Sequence, residues 1–108
     1  MLEVRYYVTD DGRSPYADWF ASLDAVARAK VAAAIVRIGQ GNLSNVKPIG
    51  GGVLEYKINF GPGYRVYLGR DGNVLVILLA GGTKKRQQRD IEAAMEFWRA
   101  YKRIKRTK

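Results

Sequence analysis

The sequence predicts a small α+β domain in the order βααβββα, a helical hairpin packed on a four-stranded sheet. Three observations predict it. Apolar and polar residues alternate with period two near the N-terminus and again in a cluster between residues 53 and 80. Two stretches with apolar residues at helical spacing separate those segments, and a third follows the last of them. Glycine-rich breaks punctuate the boundaries. At 108 residues the chain has room for one domain, spanning 1–108.

Leu2 to Thr9 alternates, with Leu2, Val4, Tyr6 and Val8 on one face, which predicts a half-buried strand. Ser14 then stands as an N-cap, Pro15 takes the first helical position, and Asp18 puts a negative charge in the first turn. Tyr16, Trp19, Phe20 and Leu23 follow helical spacing. Asp24 caps a second helix through Ile38; Val26, Ala29, Ala33 and Val36, with Val31, Ile35 and Ile38, mark its apolar stripe. Gly39 and Gly41 end it, and the short linker predicts an αα-hairpin. Residues 42–52 read as a loop whose glycine triplet lets backbone approach a neighbour closely.

Val53 to Phe60 and Tyr64 to Gly69 alternate on either side of the Gly61-Pro62-Gly63 turn. A hairpin signal at Arg70-Asp71-Gly72-Asn73 leads to Val74–Ala80, apolar throughout, as suits a central strand covered on both faces. From Gln88 onward Ile91, Ala94, Met95, Trp98 and Tyr101 recur at helical spacing, giving a C-terminal helix with a basic outer face.

Composition narrows the chemistry. The chain has no Cys and no His, which excludes a disulfide framework, thiolate zinc, a thiol nucleophile, serine–histidine triads and histidine-based metal hydrolysis. The acids are scattered, so no metal site and no cofactor is expected. Gly81-Gly82-Thr83-Lys84 lacks the spacing of a phosphate-binding glycine loop. No apolar run approaches the ~18 residues that span a bilayer, and the first residues lack a secretory pattern. The expected location is the cytoplasm.

The charge is uneven. The net formal charge is +9. Residues 1–83 balance to +2, whereas residues 84–108 hold ten basic and three acidic groups, a balance of +7. Such a surface suits polyanions. Arg86, Arg89, Arg99, Lys102 and Arg103 are the expected nucleic-acid contacts within it; Lys105, Arg106 and Lys108 complete the cluster. The plain alternative is a solubilising tail.

A cationic constellation is the best candidate for chemistry. Lys57 and Arg65 fall on adjacent strands, each opposite its strand's main apolar set, so both are expected on the outer sheet surface with Tyr67. Lys84 and Lys85 leave the end of the next strand. Several cations and a tyrosine on one face can bind a phosphodiester and stabilise the charge of its transition state. Crowded like charges favour a neutral lysine, which lets one take the proton of a 2′-hydroxyl without histidine. The alternative is a set of solvated residues, with Arg65 paired to a carboxylate such as Glu55 in an exposed ion pair worth ~0–1 kcal/mol.

The motifs Asp11-Gly12-Arg13-Ser14-Pro15-Tyr16 with Trp19, Lys47-Pro48 before Gly51-Gly52-Val53-Leu54-Glu55, Phe60-Gly61-Pro62-Gly63-Tyr64-Arg65-Val66-Tyr67 and Leu78-Leu79-Ala80-Gly81-Gly82-Thr83-Lys84-Lys85 occur in that order. Together they resemble the RelE/ParE superfamily of bacterial toxins, in its phage-derived addiction-module killer (HigB-like) branch, from Tyr6 to about Trp98. The resemblance implies the toxin of a two-gene module. Its partner would be an antitoxin, a helix-turn-helix protein encoded by the adjacent gene. It also implies metal-independent cleavage of mRNA on the ribosome by 2′-hydroxyl attack, leaving a cyclic phosphate. By position, Arg65 matches the arginine that stabilises the scissile phosphate, Lys57 a basic residue of the second strand, and Lys84 or Lys85 the basic pair after the last strand. Asp90 matches an acid of some HigB-like toxins. The C-terminal tyrosine of RelE-type enzymes is replaced by Arg89-Asp90-Ile91, and the HigB-type histidines are absent. Other readings are a ParE-like gyrase inhibitor that acts by binding, and a degenerate, non-toxic antitoxin-binding member.

Overall fold

The computed structural model describes residues 1–107; Lys108 and the side chains of Arg106 and Thr107 lie outside the described residues. Five strands make one sheet: β1 (Glu3–Tyr6), β2 (Val46–Gly50), β3 (Val53–Ile58), β4 (Tyr64–Asp71) and β5 (Leu75–Thr83), in the spatial order β1-β5-β4-β3-β2. β1 lies parallel to β5, and all other neighbours are antiparallel. Helices α1 (Pro15–Ser22) and α2 (Ala25–Gly39) follow β1; a 3-10 turn at Lys84–Arg86 leads from β5 into α3 (Gln87–Thr107). The class is α+β. The sheet has five strands rather than the expected four.

The extra strand is β2, within the segment read as a loop. It lacks a clean alternation because it is an edge strand: Pro48 cannot donate to a ladder and is tolerated only where one side is open. Gly50, Gly51 and Gly52 all have positive φ (112°, 61° and 82°), forming the connection to β3 beside a register shift. The triplet meets α3: a Cβ on Gly52 would lie 2.8 Å from Trp98 Nε1.

The helix starts follow the sequence. Ser14 Oγ accepts from the Ala17 N–H at 3.1 Å, and Asp24 Oδ1 accepts from the Ala27 N–H at 2.9 Å. The buried face of α2 is Ala27, Val31, Ala34 and Ile38, so of the seven residues of the expected stripe only Val31 and Ile38 are buried, Ile35 is half-buried, and Val26, Ala29, Ala33 and Val36 face outward. Val26 and Val36 are exposed, because alanine makes α2 apolar nearly all round and packing, not pattern, picks the face. β1 is also shorter than expected. Leu2 and Val4 pack toward the helical hairpin, but Tyr6 and Val8 are exposed, while Tyr7 is buried on the opposite face against Phe97, with ring centroids 5.4 Å apart.

Each sheet face carries a core. One lies under the α1–α2 hairpin and includes Tyr16, Val31, Ile38, Tyr56, Val66 and Leu78. The other lies under α3 and includes Tyr7, Val53, Tyr67, Leu79, Ala94 and Trp98. β5 is covered on both faces, as its unbroken apolar run implies, and so is β4, whose Tyr64–Gly69 stretch is buried throughout. Both helical layers approach β5 closely at two glycines: a Cβ on Gly81 would lie 2.1 Å from the Trp19 ring, and one on Gly82 would lie 1.9 Å from Asp90 Oδ2. Among the described residues no helix is long and apolar enough to cross a membrane.

Candidate functional site

Strand register gathers the predicted cations at one end of the sheet. Lys57 pairs with Arg65 across β3 and β4, and Arg65 pairs with Gly82 across β4 and β5. All three therefore sit in one row on the face that α3 covers. β5 then passes directly into the Lys84–Arg86 turn. The Lys84 N–H donates to the Gly63 carbonyl at 3.1 Å, and Arg65 Nη1 donates to the same oxygen at 2.7 Å. One carbonyl thus ties the turn after β5 to the guanidinium on β4. Gly63 has φ +79°, and a Cβ there would lie 3.2 Å from Arg65 Nη1, so a side chain would be strained twice.

Lys57, Lys84, Lys85, Arg86 and Arg89 are exposed, and among the described residues none forms a salt bridge. Arg65 and Tyr67 differ from expectation. Neither lies on an open surface: Arg65 is 4% exposed and Tyr67 is 0% exposed. The reason is α3, whose Ile91, Ala94, Met95 and Trp98 need an apolar surface and take this face of the sheet.

Arg65 pairs with Glu55, the partner named as its alternative, but the pair is buried rather than exposed. Arg65 Nε lies 3.6 Å from Glu55 Oε2, and Glu55 is 1% exposed. Gln87, in the first turn of α3, donates from Nε2 to Glu55 Oε2 at 2.9 Å. Lys47 on β2 reaches the other oxygen, Oε1, at 3.8 Å. The cluster holds three buried polar atoms without a hydrogen-bond partner: Glu55 Oε1, Arg65 Nε and Tyr67 Oη. Sequence reasoning missed Gln87 and Lys47 as members. The available signal was period two: Glu55, Lys57, Arg65 and Tyr67 share a face, so a lone acid among them needs cations.

Burial pushes the Tyr67 hydroxyl well above the ordinary phenol range, reinforced by the charges of Glu55 and Asp90 and by the approach of the hydroxyl to the Glu55 carboxylate, and opposed by Arg65. Tyr67 thus stays a neutral phenol, sealed under α3. Asp90 lies half-buried against Gly82, and burial raises its carboxyl while Arg86 and Arg89 pull it down. It lies close enough to the row to act on it electrostatically. Among the described residues no group of three ligating side chains could hold a metal ion.

The remaining expected nucleic-acid contacts stand elsewhere. Arg99 pairs with Glu96 on the outer face of α3, and Lys102 lies 5.8 Å over the Trp98 ring. Arg103 shares a groove with Asp10 and Asp11. At 1.5 Å per residue, Arg103 is about 25 Å along the helix from Arg86. The structure therefore unites Lys57, Arg65, Tyr67, Lys84, Lys85 and Asp90, with Arg86 and Arg89 at the rim, and leaves Arg99, Lys102 and Arg103 apart.

Fold and site together define a small α+β protein with a cluster of unpaired cations over a buried carboxylate–guanidinium pair. No family model matches the chain. It is 44% identical over 77 residues to a protein of Haemophilus influenzae (strain Rd) described as an uncharacterized protein, the match covering 70% of this chain and 78% of that one. The chain belongs to the same family as that protein.

Proposed function

We propose that the chain is a toxin of the RelE/ParE superfamily, HigB-like branch, acting as a metal-independent, ribosome-dependent mRNA endoribonuclease and neutralised by an antitoxin encoded next to it. The observation that carries this reading is the convergence of Lys57, Lys84, Lys85 and Arg86, exposed and unpaired, at one end of one sheet face. The order of elements supports it too, being the expected βααβββα with one edge strand added. In the proposed reaction the 2′-oxygen forms a bond to phosphorus as the bond to the 5′-oxygen breaks. The 2′-hydroxyl proton is lost and the leaving oxygen gains one, giving a cyclic phosphate and a free 5′-hydroxyl. The exposed lysines meet the charge that builds on the phosphorane. Arg65 stands behind them as a positioning residue, because its guanidinium holds Gly63 and, through that carbonyl, Lys84.

A second reading has its own observation. Arg65, the expected phosphate contact, is committed to Glu55 and Gly63 rather than to solvent, which favours a ParE-like gyrase inhibitor or a degenerate member acting by binding alone. Induced expression in a bacterial host, with mapping of mRNA 5′ ends, separates the readings. Growth arrest with cleavage within translated codons is expected, and both should disappear in the Lys57→Ala and Lys84→Ala/Lys85→Ala variants, whose exposed positions leave the fold intact. Arrest without mRNA cleavage but with gyrase-dependent DNA breaks would transfer the assignment to the second reading.

A further inference from the structure

We propose that the open edge of the sheet at β1 pairs with the same edge of a second copy of this chain, the two strands running antiparallel about Tyr6; the proposal does not depend on the RNA-directed reading above. β1 bonds to β5 through alternate residues: the Glu3 N–H donates to the Val74 carbonyl at 2.6 Å, and the Tyr7 N–H donates to the Leu78 carbonyl at 2.9 Å. The backbone groups of Val4, Tyr6 and Val8 therefore turn away from β5. Among the described residues these groups have no hydrogen-bond partner. The stretch is bounded on both sides. The Leu2 N–H donates to the Gly39 carbonyl at the end of α2, at 2.7 Å, and the Thr9 N–H donates to the Arg13 carbonyl in the following turn, at 2.9 Å. Val4 to Val8 is thus the free edge, with Tyr6 at its centre.

The two edges of the sheet differ. At β2, Pro48 and the register shift beside Gly50 interrupt the row of donors, and such devices keep an edge from pairing. β1 has neither. Val4, Tyr6 and Val8 are residue types that favour strands, and Tyr6 and Val8 are 54% and 49% exposed. Beside them lies a groove of about 190 Å³ lined by Tyr6, Tyr16, Ala17, Phe20, Ala32 and Ile35, so the apolar surface continues onto the helices. Charge selects the occupant. On the other face of β1, Glu3 and Arg5 pair with each other, and Asp10, Asp11 and Arg103 border the groove that holds Tyr7. An extended segment of one sign would be repelled by part of this rim, whereas a second copy brings both signs. Antiparallel pairing about Tyr6 sets Tyr6 opposite Tyr6 and Val4 opposite Val8, and it uses every one of the free backbone groups. It also turns Arg5 of each copy toward Asp10 and Asp11 of the other. The cationic cluster stays open, because Lys57 on β3 stands three strands from β1, about 14 Å at the spacing of paired strands.

Sedimentation velocity of the full chain, from micromolar to near-millimolar concentration, tests this. A small interface of this kind gives reversible association, so the mass is expected to rise with concentration from monomer toward dimer. Because Tyr6 meets its own copy, Tyr6→Lys and Tyr6→Glu should each weaken association roughly tenfold or more, through like charges placed face to face. An equal mixture of the two variants should associate more tightly than either alone. Tyr6 is exposed, so both variants are expected to fold, which circular dichroism checks. Should either fail, Val8→Lys, which sets a charge against Val4 of the other copy, is expected to weaken association in its place. A chain that stays monomeric throughout overturns the self-pairing, including one whose β1 amide signals shift in NMR only when the product of the adjacent gene is added. A dimer that Tyr6→Lys or Val8→Lys leaves intact overturns it too, as does a mixture no tighter than its components.

Discussion

The two ends of α3 carry similar numbers of positive charges and use them in opposite ways. At its start Lys84, Lys85, Arg86 and Arg89 point to solvent without a salt bridge among the described residues, beside Lys57 from the sheet. Toward its end Arg99 pairs with Glu96, Lys105 pairs with Asp71, and Lys102 lies over Trp98. Tyr101 donates a hydrogen bond to the other Asp71 oxygen at 2.5 Å, so this end is clamped to the β4–β5 turn. The comparison teaches that charge count is a poor guide to field. A balance of +7 over residues 84–108 reads as one basic surface, yet among the described residues the cations without a salt bridge are concentrated in its first turns. The ends stand about 25 Å apart, beyond the ~8 Å screening length at physiological salt, so they act independently.

The strongest way to break that contrast is through the buried pair beneath the first end. Arg65→Ala leaves Glu55 buried without its guanidinium, and a loss of ~3–5 kcal/mol in urea unfolding is expected. Arg65→Met with Glu55→Gln removes both charges and should recover most of that stability while growth arrest stays abolished. Arrest by the double variant would show that the pair serves the fold alone.

A smaller loss is expected on forcing the first end away from the sheet. Gly82→Ala drives a Cβ into the Asp90 carboxylate, and overpacking of this kind costs ~1–3 kcal/mol. Thermal unfolding measures it; an unchanged Tm would mean that α3 does not rest on Gly82.

Salt sharpens the comparison directly. Each phosphate neutralised on single-stranded RNA contributes ~0.7 to the slope of log affinity against log salt. Lys84→Ala/Lys85→Ala/Arg86→Ala should flatten the slope by about 2 if each meets a phosphate. Arg99→Ala/Lys102→Ala/Arg103→Ala should flatten it less. Fluorescence anisotropy between 50 and 300 mM salt (roughly the range where the effect is large) decides, and equal slopes for the two triple variants would erase the contrast.

The smallest effect concerns the clamp. The Lys105 hydrogen bond, then that of Tyr101, holds the Asp71 carboxyl below its ordinary range. A depressed folded-state pKa gives stability that is present above the unfolded value of about 4 and fades as pH falls through the folded one. Asp71→Asn should therefore lower Tm at pH 7, with the difference closing as pH drops below 4. A difference that persists in acid would mean that the carboxylate's charge is not what clamps the helix.

Much of this was legible from local rules. Ser14 and Asp24 announced two helix starts because a capping side chain acts within three residues of itself. Period two placed Lys57, Arg65 and Tyr67 on one face of adjacent strands, and the Gly61-Pro62-Gly63 turn set their register. β2 was not legible, because an edge strand with one free side needs no alternation and tolerates Pro48. The burial of Arg65 and Tyr67 was not legible either. Their alternation gave the correct face, but nothing local states which layer covers it.

The sequence by itself determined the class, the helix starts, the hairpin turns and the row of cations, since each depends on contacts between residues near in sequence or fixed by strand pairing. Only the tertiary structure decided that α3 lies across that row, sealing Arg65 against Glu55 and leaving the lysines outside. The physical reason is that an apolar stripe specifies that a helix must be covered, not by what. The choice is made by the whole surface available, here the glycines at 52, 69 and 82 that let Trp98 and Asp90 come within contact of the sheet.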